Sequence, residues 1–109
     1  MHRLVMVLVF FCCLAPLRAE SALLLSWAEW SVPRTAEAVL AMPVLQEAMQ
    51  GLRQAEHASL RIYYPGGDEG SLWAIELRGW LVSLGLEADR IKLISGSQYP
   101  DRLQLEIEE

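Results

Sequence analysis

Ser59-Leu60-Arg61-Ile62-Tyr63-Tyr64-Pro65-Gly66-Gly67-Asp68-Glu69-Gly70 is the stretch on which the fold turns. Its first six residues alternate, with Leu60, Ile62 and Tyr64 on one side and Arg61 and Tyr63 on the other, the period of a strand with one buried face. Pro65 and the glycines break that strand. From Ser71 to Leu84 the period changes, and Trp73, Leu77, Trp80, Leu81 and Leu84 form a broad helical stripe. Gly85 supplies the left-handed residue that commonly ends a helix, and Leu86 can fold back on the last turn. Beyond Glu87-Ala88-Asp89, Ile91 and Leu93 mark another strand. Strand, helix and strand in succession predict one unit with a right-handed crossover.

Toward the C-terminus, Leu103, Leu105 and Ile107 alternate with Arg102, Gln104, Glu106 and Glu108, predicting a fourth strand after a turn at Ser95 to Asp101. Toward the N-terminus, Pro43 is suited to open a long helix, because its missing N–H would have no partner in the first turn. Leu45, Met49 and Leu52 then recur beside Val44, Ala48 and Ala55, with Gln46, Glu47, Gln50, Arg53 and Gln54 as the polar side. Gly51 weakens that helix and so marks a close contact. Thr35 can cap a short helical turn running to Met42, and Pro33 ends the extended run before it. In Ala22 to Trp30, Leu23, Leu25 and Trp27 alternate with Ser26 and Ala28, which predicts the first strand. On that reading Trp27 and Trp30 face opposite ways, and Trp30, where the strand ends, is the candidate for a partner surface. Tyr63, opposite the inward residues of its own strand, is a second. Trp73 and Trp80, seven residues apart, share one helix face and belong to the core. The expected fold is α/β of the α+β sandwich type. Two helices pack on one face of a mixed four-stranded sheet, in the order β-α-β-α-β-β.

The chain opens with Met1-His2-Arg3, an apolar run from Leu4 to Leu17, and Arg18-Ala19 before Glu20. That order predicts a cleavable signal peptide over residues 1–19 and a single domain over residues 20–109. The run is shorter than the ~20 residues a membrane-crossing helix needs, so no transmembrane span is expected after cleavage. Removing 19 of 109 residues leaves 90 and takes both cysteines away. Two of the nine basic residues leave as well, so seven remain against 14 acids, a formal net charge of −7. Such a balance argues against a nucleic-acid partner, whose phosphates require a basic face. Without disulfides, the domain must be held by its core.

Little in the chain suits catalysis. His57 is the one histidine beyond the signal, and there is no thiol nucleophile and no Gly-x-Ser-x-Gly elbow. No metal site, cofactor or enzyme activity is therefore expected. Asp68 and Glu69 have two readings. Beside the glycines and a helix start they suit the helix dipole as capping acids; alternatively, they receive an ammonium group from a ligand or a basic partner side chain.

The element order, together with Trp73-Ala74, Trp80-Leu81 and Leu84-Gly85-Leu86-Glu87-Ala88-Asp89-Arg90-Ile91, resembles the OmpA-like C-terminal domain, a peptidoglycan-associating module of Gram-negative envelope proteins. In that family a helix ends at Gly, passes a short polar loop and enters a strand through Arg or Lys followed by Ile. The resemblance covers nearly all of residues 20–109 and implies a periplasmic domain. The family's binding signature pairs an Asp after the second strand with an Asn-x-x-Leu-Ser-x-x-Arg-Ala motif, and the Asp and Arg grip diaminopimelate. Here Asp68 lies in about that loop, Trp73-Ala74 stands at the Arg-Ala position, and the sequence has no Asn. Arg78, about one turn further along, is the cation available in its place. The resemblance implies the fold more than the ligand. The expected function is a non-catalytic protein-interaction or accessory domain of the cell envelope, with an envelope protein as partner; the alternative is a peptidoglycan-binding module using Asp68, with Arg78 as the available cation.

Overall fold

Alternation in the strands builds one continuous apolar sheet face. The computed structural model describes residues 23–32 and 34–109; the signal expected at residues 1–19, the cysteines, Ala22 and Pro33 lie outside the described residues. Among the described residues the chain is α+β, with four helices and a mixed four-stranded sheet. Its elements run β1 (Leu23–Ser26), α1 (Trp27–Trp30), α2 (Ala36–Leu40), α3 (Pro43–Gln54), β2 (Ser59–Tyr64), α4 (Asp68–Ser83), β3 (Ile91–Ser95) and β4 (Arg102–Glu108), with a 3-10 turn at Ala88–Arg90. The strand order is β1-β4-β2-β3. β4 is antiparallel to both neighbours, and β2 and β3 are parallel.

Register aligns Leu23, Leu105, Ile62 and Leu93 in one row across all four strands, with Ile107, Leu60 and Ile91 in another. On that face lie α3, which contributes buried Leu45, Ala48 and Leu52, and α4, which contributes Trp73, Ala74, Leu77 and Leu81. Each large apolar side chain fully removed from water contributes about 1.5–3 kcal/mol, which makes this layer the main source of stability. The other sheet face is open and carries Arg61, Tyr63, Arg102 and Gln104.

The helix ends follow from local chemistry. Pro43 occupies the first turn of α3. At the other end of that helix, Arg90 donates to the carbonyls of Leu52, Ala55 and Ala58 at 2.9–3.0 Å, satisfying acceptors the helix cannot pair itself. Helix α4 instead ends on its own glycine: Gly85 has φ +112°, its N–H donates to Val82, and the Leu86 N–H reaches back to Leu81. Two glycines mark close packing. A Cβ on Gly51 would meet the end of the Ile107 side chain, and one on Gly70 would strike the Pro65 carbonyl.

The N-terminal segment departs from its expected course. β1 ends at Ser26, not at Trp30, because Ser26 and Glu29 form a reciprocal capping box: the Glu29 N–H donates to Ser26 Oγ at 3.2 Å, and the Ser26 N–H to Glu29 Oε1 at 3.4 Å. The helical turn reverses the expected roles of the two tryptophans. Trp30, expected on a partner surface, is fully buried, while Trp27 is 51% exposed. Arg34 seals Trp30 in place, lying 4.8 Å over its ring and donating to its carbonyl at 2.8 Å. Farther along, Thr35 caps α2 as expected, accepting from the Ala38 N–H.

Candidate functional site

Three separate parts of the chain enclose a cleft of about 490 Å³. α1 contributes Trp27; the β2–α4 loop and the first three turns of α4, continuous in sequence, contribute Pro65, Gly66, Glu69, Gly70, Leu72, Trp73 and Glu76; and the β3–β4 loop contributes Pro100 and Asp101. Local chemistry fixes each wall. The Trp27 N–H donates to the Asp101 carbonyl at 2.9 Å, tying the start of α1 to the β3–β4 loop. Gly70 lets the first turn of α4 press against Pro65. Trp27 meets Trp73 edge to face, with ring centroids 5.0 Å apart and planes at 77°. Trp73 is buried, and its indole N–H has no acceptor among the described residues. Leu72 stands on the rim, 63% exposed.

The three carboxylates of the cleft are not equivalent. Glu76 is engaged: Arg34 pairs with it at 2.8 Å, and the Trp30 indole N–H donates to it at 3.4 Å. Asp101 has a long contact to Arg102 Nε, 3.7 Å between two well-solvated side chains, which is weak. Glu69 has no ion pair among the described residues. The cleft therefore combines aromatic walls with uncompensated negative charge. Among the described residues, no group of three or more His, Cys, Asp or Glu could hold a metal ion.

The residues expected from the sequence are distributed differently. Asp68 and Glu69 occupy the first turn of α4, behind Gly67 at φ +93°. Neither forms a side-chain cap, so their charge meets the helix dipole without bonding its N–H groups. Glu69 lines the cleft; Asp68 does not. Arg78 is exposed on the same helix, ten residues from Asp68, or about 15 Å along the axis at 1.5 Å per residue. The structure does not bring this pair together. Tyr63 sits half-buried on the open sheet face, and its hydroxyl accepts from Arg61 Nη1 at 3.2 Å. Arg61 also pairs with Glu108 at 2.6 Å. The Tyr63 bond first, and Glu108 after it, hold the Arg61 guanidinium pKa above its ordinary value despite some desolvation. His57 is exposed between α3 and β2.

Sequence reasoning missed Trp27, Leu72, Glu76 and Asp101. The signal for Trp27 was present, since Ser26-x-x-Glu29 is the pattern of a capping box that stops the strand before it. Asp101 had no such signal, because its place depends on how a loop packs against α1. Among the described residues, no helix is long and apolar enough to cross a membrane. No protein-family model matches the sequence, and comparisons with curated proteins and with solved structures give no match.

Proposed function

We propose that this chain is a non-catalytic accessory domain that binds another protein, acting in the periplasm of a Gram-negative envelope, with the α1–α4 side as its docking surface. The observation that carries this reading is the gathering of Trp27, Leu72 and Ile75, each more than half exposed, on α1 and the solvent side of α4 beside the cleft. Exposed apolar groups scattered singly need no explanation, but a cluster with a tryptophan at a concave site is the composition of an interaction surface. Descent from an OmpA-like module belongs to the same proposal and rests on Leu84 to Ile91 and the order of elements. The separation of Asp68 from Arg78 along α4 gives no support to the diaminopimelate grip.

Affinity capture from envelope extracts tests this reading. The unaltered chain should retain one stoichiometric partner, and Leu72→Ser with Ile75→Ser should lose it while the thermal melt is unchanged. Equal capture by the double variant would defeat the assignment of this surface. Cosedimentation of the chain with isolated sacculi, weakened by Asp68→Ala, would favour the peptidoglycan alternative instead.

A further inference from the structure

We infer that the partner presents a basic segment, and that the cleft between α1, α4 and the β3–β4 loop receives one of its lysine or arginine side chains; this inference rests on the protein-docking reading above. Three observations from different elements converge on it. First, charge: Glu69 from α4 and Asp101 from the β3–β4 loop both line the cleft; Glu69 has no ion pair among the described residues, and Asp101 has only the long 3.7 Å contact to Arg102. The helix dipole accounts for an acid at Glu69, in the first turn of α4, but not for Asp101, which belongs to no helix. Second, aromatic surface: Trp27 packs edge to face with Trp73 and is half open to solvent, and an exposed indole offers surface on which a cation and its alkyl stem gain. Third, an unpaired group: Trp73, buried on the same wall, has an indole N–H with no acceptor among the described residues, so the chain by itself leaves this wall incompletely satisfied.

The cleft volume of about 490 Å³ is within the range of built pockets and takes one long side chain with its flanking backbone. A bare metal ion fits the site poorly, because the acids do not converge into a cluster of ligands. An anionic partner would meet unscreened carboxylates and is disfavoured. Leu72 on the rim is positioned for an apolar residue next to the partner's basic one.

The experiment uses the full chain with Leu72 replaced by the photo-crosslinker p-benzoylphenylalanine, irradiated in cells, with crosslinked peptides identified by mass spectrometry. The expected product is one partner protein, crosslinked within about three residues of a lysine or arginine. Combining the crosslinker with Glu69→Gln and Asp101→Asn should lower the yield roughly tenfold, the loss of two partly exposed ion pairs and an aromatic-flanked cation site. Both acids are exposed, so the melting temperature should stay unchanged. A partner segment without a basic residue, or full yield in the doubly neutralised chain, would overturn the basic-segment inference and leave protein docking standing. Crosslinks only to glycan or lipid, or a yield no higher than with the crosslinker at exposed Glu47 of α3, would overturn both.

Discussion

The two long helices cover the same sheet face and bury similar inner surfaces, yet their outer surfaces differ. The solvent side of α3 is Gln46, Glu47, Gln50, Arg53 and Gln54, a polar set that folding in water explains fully. On α4, Leu72, Ile75 and Val82 are exposed among Asp68, Glu69, Glu76 and Arg78. At spacings of three and seven residues they fall on one stripe, opposite the buried stripe of Trp73, Leu77 and Leu81. Both helices fit the same layer by the same rule on their inner faces. Of the two, only α4 departs from it outside. The helix termini repeat this contrast in another form: α3 depends on a side chain from a distant part of the chain to close it, whereas α4 closes on the glycine that follows it.

The comparison can be broken or sharpened by substitution, starting with the inner faces. Leu52→Ala in α3 and Leu77→Ala in α4, both nearly or fully buried, should each cost about 2–5 kcal/mol in urea denaturation. Markedly unequal losses would show that the two helices do not share the core evenly. Next, Arg90→Met should cost about 2 kcal/mol, because three α3 and loop carbonyls lose a charged donor. A cost below about 0.5 kcal/mol would mean that solvent satisfies those carbonyls equally well. The helix glycines come third. Gly70→Ala forces a methyl group onto the Pro65 backbone and should cost about 1–3 kcal/mol. Gly51→Ala meets only the mobile end of Ile107, and the helix-propensity gain of up to about 1 kcal/mol offsets the clash. A reversed ranking in chemical denaturation would refute the tight seating of α4 on its loop. The smallest expected effect is on the outer stripe: Leu72→Ser and Ile75→Ser should each shift stability by no more than about 0.5 kcal/mol. A larger loss in thermal melts would show that these residues serve the fold after all.

Most of the layer structure was legible in the sequence because it depends on local patterns. Alternation in Ser59–Tyr64 and Arg102–Glu108 gave both central strands, Pro43 gave the start of α3, and Gly85 with Leu86 gave the end of α4. The error at Ala22 to Trp30 arose between two competing local signals. Leu23, Leu25 and Trp27 alternate like a strand, but the Ser26–Glu29 box bends the chain into a helical turn before the third of them. One missed turn exchanged the burial of two tryptophans and moved the candidate surface from Trp30 to Trp27. The cleft was legible only in part: Glu69 was marked by its place beside the glycine loop, whereas Trp27 and Asp101 meet it through pairing of elements far apart in sequence, which no local period records.

The position of β4 between β1 and β2 also bears on how the protein is made. Synthesis delivers the chain from its N-terminus, so β1 has no hydrogen-bonding neighbour among the described strands until Arg102–Glu108 emerges. Until then Leu25 lacks its cross-strand partner Leu103, and Leu60 and Ile62 lack Ile107 and Leu105. The nascent chain thus carries unpaired strand edges and bare apolar rows, the features that invite aggregation and engage holding chaperones. The sheet cannot be completed before β4, and a premature stop before Arg102 should yield a substrate for proteolysis, not a smaller stable domain.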